Sequence, residues 1–359
     1  MQKLLSIFLS LALIISTLAG CAGQPSSTPS PTSTQSIDTT TQTPISTPSQ
    51  TLSDEGSNYP VTIENNTTTI TYEKAPERVV VLSYTCAEIM AALGLSDKVV
   101  ALAPNMNRID EVMEEYRDEI AAIPTFETSS MKNGVPNLET VLSVEPDFVY
   151  GSFYSFFATN CGEAKDYLAN DIGIYASENT YTKGATLNDL YTEILNIGKI
   201  FDVSDTAEKI VDELKAREQA VVDRVAGMEA VPVFVFDYDN GDGTLNTTGG
   251  TNFVDNLIAS AGGKDIFDEL QTSYATISPE EIIAKDPAYV LTISYYTADD
   301  GQSKIDTMKN SADYAGVQAV KNDQFLSLGG LAAGAASGLQ CIDALETLAQ
   351  FLHPEAFAN

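Results

Sequence analysis

Hydrophobic and polar positions follow two alternating periods along most of the chain. The runs Arg78 to Ser83 and Val99 to Ala103 are short, apolar and rich in valine, which is typical of buried strands. Between them, Ala87 to Leu93 has the spacing of a helix that ends at a glycine, and Val61 to Tyr72 before them resembles a polar hairpin. Strands that alternate with helices favour parallel sheets, so the pattern predicts an α/β fold.

One long helix divides this pattern into two halves. From Ser204 to Gly227 the apolar residues recur at intervals of three and four, opposite a charged side. Ser204 or Asp205 is a suitable N-cap, and Asp205 with Glu208 has the spacing of a capping box. At about 1.5 Å per residue the helix is about 35 Å long, enough to connect two small domains. An ordinary amphipathic surface helix is the alternative.

Two segments on either side of this helix repeat one another. Residues 137–150 and 278–291 each have a glutamate in a first helical turn, a proline seven residues later and then an apolar strand. The proline is expected to end the helix. After the long helix the chain again opens with a strand, Val233 to Phe236, followed by a helix, Phe253 to Ala261. We therefore expect two similar α/β lobes with mainly parallel sheets, residues 59–203 and 228–359, joined by a helix at 204–227.

The first 58 residues differ from the rest in composition. Residues 1–20 contain one early lysine, an apolar run and small residues, which is the pattern of a signal peptide. The ending Leu18 to Cys21 resembles the lipobox of bacterial lipoproteins, in which Cys21 becomes the acylated membrane anchor. A cleaved signal, an uncleaved anchor and a chance cysteine are the alternatives. Residues 21–58 are mostly Ser, Thr, Pro and Gln, so we expect a disordered extracytoplasmic linker.

Charge and residue counts argue against several functions. The 19 Lys and Arg residues against 50 Asp and Glu give a formal charge of −31, which repels nucleic acid. The single histidine, His353, lies near the C-terminus, so a His-based metal site or a histidine base is not expected. Asp237 to Gly243 resembles a calcium loop but lacks its glycine and its final glutamate.

Cys86 and Cys161 could form a disulfide if their loops meet. We expect no metal, no cofactor and no enzymatic activity.

Several segments, taken in order, resemble a known family. The likeness runs from about Glu77 to Phe357 and rests on RVVVLSYTCAEIMAALGLSDKVVAL, NLETVLSVEPDFVYG, TNFVDNLIASAGGKDIF, ISPEEIIAKDPAYVLTI, AVKNDQFLSL and LHPEAF. These segments resemble substrate-binding proteins of bacterial ABC importers for ferric siderophores, haem and cobalamin. The resemblance implies two α/β lobes bridged by one long helix, with the ligand in the cleft between them. It also implies a monomer that delivers its ligand to an ABC permease and its ATPase.

The same resemblance assigns a docking role to two glutamates. Members of the family dock onto the permease through one glutamate on each lobe, and the matching positions here are Glu139 and Glu280. A carboxylate in a first helical turn is also favoured by the helix dipole alone, which is the alternative explanation.

Ligand contacts are expected on the loops at the carboxyl ends of the strands, where open α/β sheets bind their ligands. These loops are rich in aromatic residues, and flat rings suit a metal chelate or a corrinoid macrocycle. Arg108, Lys132 and Lys183 are the few cations there. About half of the rings could instead pack the lobes. A ferric siderophore is the first expectation, cobalamin the second and haem the third. The candidate ligand-binding residues are Tyr84, Arg108, Tyr154, Tyr181, Tyr238, Tyr295 and Tyr296.

Overall fold

The structure is a computed structural model that describes residues 58–105, 107–127, 131–132, 134–334 and 338–358. The predicted signal peptide, the predicted lipidation site Cys21 and the predicted linker up to residue 57 lie outside the described residues. Within the described ranges no helix is long and apolar enough to cross a membrane.

The first lobe is built on a parallel sheet. Its strands run in the order β4-β3-β7-β8, and every neighbouring pair is parallel. All three valines of β3 are fully buried, as a strand covered by helices on both faces requires. Two antiparallel hairpins, β1-β2 and β5-β6, accompany this sheet. The strands are β1 (Val61–Asn65), β2 (Thr68–Tyr72), β3 (Val79–Val81), β4 (Val99–Leu102), β5 (Met131–Lys132), β6 (Val135–Pro136), β7 (Phe148–Gly151) and β8 (Gly173–Ala176).

The second lobe repeats this order. Its parallel sheet runs β12-β9-β14-β15. When the four strands of each parallel sheet are numbered in chain order, their spatial order is second, first, third, fourth in both lobes. A smaller antiparallel sheet, β10-β11-β13, is added to it. The prediction of two similar α/β lobes is confirmed. The strands are β9 (Val231–Phe236), β10 (Tyr238–Asp239), β11 (Leu245–Thr248), β12 (Gly263–Asp265), β13 (Tyr274–Ile277), β14 (Tyr289–Ser294) and β15 (Phe325–Gly329).

Helices connect the strands and cover the sheets. Ser83, which follows β3, caps the first helix by accepting a hydrogen bond of 3.1 Å from the backbone N–H of Cys86. The helices are α1 (Tyr84–Ala92), α2 (Glu114–Ala121), α3 (Leu138–Leu142), α4 (Ala164–Leu168), α5 (Leu187–Ile200), α6 (Ser204–Val225), α7 (Phe253–Ser260), α8 (Pro279–Lys285), α9 (Asp300–Asn310), α10 (Gln318–Lys321), α11 (Gly330–Ala333), α12 (Cys341–Leu352) and α13 (Pro354–Phe357).

The long helix α6 begins where the pattern predicts and ends two residues before Gly227. Its predicted cap is wrong: the N-cap is Val203, and no side chain caps the helix. Asp202 has a φ of +58°, so the chain turns sharply after α5 and Val203 occupies the N-cap position directly before Ser204, the first residue of α6. Arg217 of α6 donates hydrogen bonds of 2.8 and 2.9 Å to Glu346 of α12, which fixes α6 against the second lobe.

The repeated segments have the same local structure in both lobes. Asn137 caps α3 and Ser278 caps α8, and Ser278 with Glu281 forms the expected capping box. Each helix is followed by a residue of positive φ just before the proline, Glu145 at +51° and Asp286 at +44°. The proline therefore follows a left-handed turn that directs the chain into β7 or β14.

Candidate functional site

A cleft of about 430 Å³ lies between the two lobes, at the ends of their strands. Its walls combine side chains that follow β3 and β7 of the first lobe with side chains that follow β9 and β14 of the second. The lining residues are Ser83, Thr85, Asn105, Asn107, Val135, Ser152, Tyr154, Ser155, Asn160, Asp237, Tyr238, Asn246, Tyr274, Tyr295, Tyr296 and Gly330. This is the position at which open α/β sheets bind small molecules.

Four of the predicted tyrosines line this cleft. Tyr154 comes from the first lobe, and Tyr238, Tyr295 and Tyr296 come from the second. Three of these rings are exposed, by 41% for Tyr154, 51% for Tyr238 and 59% for Tyr296, although they are large and partly apolar. Exposed rings grouped around one opening provide flat surfaces on which a planar or bulky ligand can pack.

Tyr84, Arg108 and Tyr181 are not among the lining residues of the cleft. Tyr84 is buried in the first turn of α1 and packs in the core of the lobe. The guanidinium of Arg108 is occupied by Asp110 and Glu111, at 2.9 and 2.6 Å. These two acids are close neighbours in sequence, so local pairing explains the position of Arg108.

Tyr181 lies beside a smaller cavity next to the cleft. Its hydroxyl donates to Glu178 and accepts a hydrogen bond of 3.0 Å from the backbone N–H of Asn66. Lys183 lines the same smaller cavity. The side chain of Lys132 lies outside the part that the structure describes.

Tyr295 and Asp237 form the charged centre of the cleft wall. The Tyr295 hydroxyl donates a hydrogen bond of 3.0 Å to Oδ1 of Asp237, and the backbone N–H of Tyr295 donates one of 2.7 Å to Asp300. The Lys304 ammonium lies 5.3 Å from the centre of the Tyr295 ring. Burial raises the pKa of Asp237, while the bond from Tyr295 and the charge of Lys304 oppose that rise. Burial, with the nearby Asp237 charge, also raises the pKa of Tyr295 well above its usual value.

Neutral amides make up much of the remaining polar lining. Asn105, Asn107 and Asn160 come from the first lobe and Asn246 from the second. Asn160 donates a hydrogen bond of 2.7 Å to the backbone carbonyl of Tyr154, which holds the loop that carries this ring. The described residues that line the cleft include one acidic residue, Asp237, and no Lys or Arg. The cleft is therefore suited to neutral or cationic ligands with groups that exchange hydrogen bonds with amides.

Glycines bring the lobes close together at the base of the cleft. A Cβ atom on Gly330 would lie 2.7 Å from Nδ2 of Asn107 in the other lobe and 2.8 Å from the Tyr295 ring. A Cβ atom on Gly338 would lie 2.5 Å from Cγ2 of Thr85, again in the other lobe. Both contacts are closer than a side chain permits, so only glycine allows this approach.

The sequence-based list omitted Tyr274 and the four asparagines. Tyr274 begins β13, and the alternation of its segment, Tyr-Ala-Thr-Ile, could have indicated a strand with one face towards the cleft. The asparagines lie on loops at the carboxyl ends of the strands, where ligand contacts are expected, but the aromatic pattern of these loops does not mark them. Amide side chains carry no sequence pattern that separates a ligand contact from an ordinary loop contact.

The two predicted docking glutamates occupy equivalent positions in the two lobes. Glu139 lies in the first turn of α3 and Glu280 in the first turn of α8, and both are exposed. Glu281, the neighbour of Glu280, uses its carboxylate in the capping box at a distance of 2.8 Å from the backbone N–H of Ser278. Glu280 takes no part in that box.

Other predicted features have structural roles. Cys86, Cys161 and Cys341 are free and buried, so the possible Cys86 to Cys161 disulfide is absent from the described chain. His353 is buried and its Nε2 lies 2.9 Å from the carbonyl oxygen of Gly262, far along the chain from the cleft loops. The described residues contain no cluster of His, Cys, Asp or Glu that could hold a metal ion.

The calcium-like segment forms the hairpin between β10 and β11. Asp242 accepts hydrogen bonds from the backbone N–H and the hydroxyl of Thr244, at 3.0 and 2.6 Å. Asp239 accepts one of 2.8 Å from the N–H of Gly241. These carboxylates stabilise the turn itself.

Residues 79–330 match the family described as "Periplasmic binding protein". Among curated proteins, the chain is 25% identical to an uncharacterized ABC transporter substrate-binding lipoprotein, YvrC, of Bacillus subtilis, over 83% of this chain and 87% of that one. It is 24% identical to a vitamin B12-binding protein of Vibrio parahaemolyticus, over 63% of this chain and 74% of that one.

Solved structures with the same fold include two bacterial proteins. A periplasmic binding protein of Veillonella parvula superimposes with a TM-score of 0.71 at 23% identity, over 82% of this chain and 97% of that one. A protein described as an ABC-type Fe3+-hydroxamate transport system, from Saccharomonospora viridis, superimposes with a TM-score of 0.68 at 22% identity, over 84% of this chain and all of that one.

Proposed function

The chain belongs to the periplasmic binding protein family, the substrate-binding components of ABC transporters of the siderophore, haem and vitamin B12 class, and on this premise we propose that its cargo is a bulky metal chelate whose metal-binding core carries no net negative charge. A ferric hydroxamate siderophore is the first candidate. Such proteins work with a permease and an ATPase, and the relatives at the family level are transport proteins and not enzymes.

One observation carries this choice of cargo: among its described lining residues, the cleft combines exposed rings and neutral amides with one acid, Asp237. Tyr154, Tyr238 and Tyr296 offer apolar faces, and the asparagines offer both donors and acceptors. An anionic catecholate complex would meet Asp237 and, among the described lining residues, no compensating cation. A neutral or cationic hydroxamate complex avoids this penalty.

Cobalamin is the second candidate because of a different observation. Relatives in Vibrio and in other organisms carry the description vitamin B12-binding or cobalamin-binding protein. The amide-rich lining also suits a ligand that presents many carboxamide groups. Haem is the third candidate, and the described lining residues provide tyrosine but no histidine as an axial ligand for its iron.

The remaining parts of the proposal concern location and docking. We place the protein outside the cytoplasm, with Cys21 acylated and the linker holding the lobes away from the membrane. Glu139 and Glu280 would meet cationic residues of the permease, one from each lobe. Their exposed, equivalent positions in α3 and α8 support this role. Exposed ion pairs contribute only about 0 to 1 kcal/mol each, so these contacts would orient the complex more than they would tighten it.

Thermal unfolding of the full chain in detergent tests the cargo. The ligands are ferric hydroxamates, ferric catecholates, cyanocobalamin, haem and free ferric ion. A ligand present at 100 times its Kd adds about 2.7 kcal/mol of stability, which is readily visible as a rise in Tm. We expect a rise with a ferric hydroxamate; a rise with cyanocobalamin alone would support the second candidate.

A cleft variant shows whether a rise in Tm comes from this site. Tyr296→Ala removes the most exposed ring of the cleft and should reduce the rise in Tm. Leu168→Ala removes an exposed apolar side chain of α4, away from the cleft, and should leave the rise unchanged. A rise only with catecholates, or no rise with any chelate, would contradict the proposed cargo.

A further inference from the structure

A second cavity, of about 200 Å³, lies beside the cleft on the boundary between the lobes. The first lobe contributes the segment 179–183 to its wall, and the second contributes residues 251–253 and 273–274. The backbone N–H of Gly184 donates a hydrogen bond of 3.0 Å to the carbonyl of Thr251, and Asn256 donates one of 3.0 Å to the carbonyl of Ala185. These bonds join the lobes and give the cavity a fixed base.

Two rings separate this side cavity from the cleft. Tyr154 and Tyr274 line both spaces, and each ring belongs to a different lobe. Tyr274 starts β13 and is half-buried, whereas Tyr154 is exposed by 41% and lies on a short turn after β7. The two spaces therefore adjoin at these two rings. The side cavity is an extension of the cleft that a narrow part of a ligand can enter.

The two spaces differ in charge. Among their described lining residues, the cleft has Asp237 and no cation, whereas the side cavity has Lys183 and no acid. Lys183 is exposed and makes no ion pair with any described residue. The buried acid Glu178 accepts hydrogen bonds from Tyr175 at 2.7 Å, from Tyr181 and, at 3.2 Å, from Asn65 at the end of β1, and it does not line the side cavity. In a chain with 50 acids, an acid-free space with a lysine is suited to an anion.

Hydroxyl and amide groups complete the polar wall of the side cavity. The hydroxyls of Thr251 and Ser273 lie 3.3 Å apart, and Asn252 donates a hydrogen bond of 3.1 Å to the carbonyl of Ser273. We propose that the side cavity binds a carboxylate arm of the cargo, while the neutral or cationic chelate core occupies the cleft. This inference rests on the proposed function, since it concerns one ligand that spans both spaces.

Matched chelates test the inference. Ferric N-acetyl-desferrioxamine B and ferric N-succinyl-desferrioxamine B share one core and differ in a neutral or a carboxylate arm; cyanocobalamin and a monocarboxylic acid made from it form the corresponding corrinoid pair. Calorimetric titration of the full chain gives Kd for each. We expect the carboxylate member of the pair that binds to bind about five-fold more tightly, as one partly exposed ion pair provides.

Two variants assign this difference to the side cavity. Lys183→Gln should abolish the preference for the carboxylate arm and leave the Kd of the neutral member unchanged. Lys199→Gln, at an exposed position on α5 away from both spaces, removes the same charge and should keep the preference. Equal binding of both members by the unmodified protein, or a preference that survives Lys183→Gln, would overturn the inference while the proposed cargo stands. Absence of binding by all four probes would overturn both.

Discussion

Glu88 of the first lobe accepts a hydrogen bond of 2.6 Å from the side-chain amide of Gln340 in the second lobe. The same Oε1 atom accepts one of 2.8 Å from the backbone N–H of Met113, and no donor from the described residues reaches the other oxygen. Gln340 also donates to the carbonyl of Glu111 at 2.8 Å. Burial raises the pKa of Glu88 from 4.5 to about 7, and the nearby charges of Asp343 and Glu115 add to that rise. A carboxyl that is readily protonated therefore lies on the boundary between the lobes.

Stability is expected to fall as pH rises from about 5 to about 8. In this range the folded protein holds a proton on Glu88 that the unfolded chain has already lost, so deprotonation favours unfolding. Glu193 and Asp265, whose pKa values burial also raises to about 7, act in the same direction. Glu88→Gln keeps the accepting oxygen without the charge. It should raise the free energy of unfolding at pH 8 by about 1 to 3 kcal/mol and change it little at pH 4.

Urea unfolding at a series of pH values measures this effect. The control is Glu114→Gln, an exposed acid on the neighbouring helix α2 whose charge is not among those that shift the pKa of Glu88; this variant should leave the pH dependence nearly unchanged. The variant Glu88→Gln retains Glu193 and Asp265, so part of the slope should persist. An unchanged slope would show that Glu88 does not titrate in this range in the folded protein.

Gly330→Ala should destabilise the protein and weaken ligand binding. The added methyl group would overlap the side-chain amide of Asn107 in the first lobe and the Tyr295 ring, so at least one of these side chains must move from its place at the base of the cleft. Overpacking of this kind costs about 1 to 3 kcal/mol. Gly329→Ala is the control, because a Cβ atom there meets nothing within 4 Å. Equal effects of the two variants on the free energy of unfolding and on Kd would contradict the close contact at Gly330.

Charge reversal at both docking positions should stop uptake without affecting binding. The double variant Glu139→Arg and Glu280→Arg would place cations against the cationic surface that the permease is proposed to present, and like charges oppose association. Kd for the cargo should stay within about two-fold, because neither residue lines the cleft. Uptake is measured in cells that depend on this protein for the cargo. Normal uptake by the double variant would exclude these residues from docking.

A second double variant shows whether a loss of uptake comes from the docking positions or from the change in net charge. Glu208→Arg on α6 and Glu229→Arg after it change the total charge equally at exposed positions of the same chain. Uptake by this control should remain near that of the unmodified protein.

The buried cysteines should resist modification in the native protein. Cys86, Cys161 and Cys341 are fully shielded, and burial raises the pKa of Cys86 and of Cys161 to about 12, so few thiolates form at pH 8. A coloured thiol reagent should react slowly until guanidinium unfolds the chain. Three thiols should then react if Cys21 is acylated and four if it is not. Rapid reaction of all thiols in the native protein would contradict their burial.

The sequence alone determined the architecture of the two lobes. Apolar strands such as Val79–Val81, the 22-residue helix α6 and the repeated glutamate and proline spacing are local patterns that burial and backbone geometry enforce. The boundaries agree within one or two residues for most elements. The cap of α6 is an exception, because the sharp turn at Asp202 places Val203, whose side chain has no hydrogen-bond acceptor, at the N-cap.

Only the tertiary structure decided which loop residues meet in the cleft. Tyr154 and Tyr274 are 120 positions apart, and Glu88 and Gln340 are 252 apart, so no local pattern can show that they are neighbours. For the same reason, the sequence does not show which tyrosines are buried and which are exposed. Tyr84 packs in the core, whereas Tyr296 is exposed at the cleft. Local periodicity indicates which face of an element is buried, whereas the residues that line a cleft depend on how the two lobes are placed against each other.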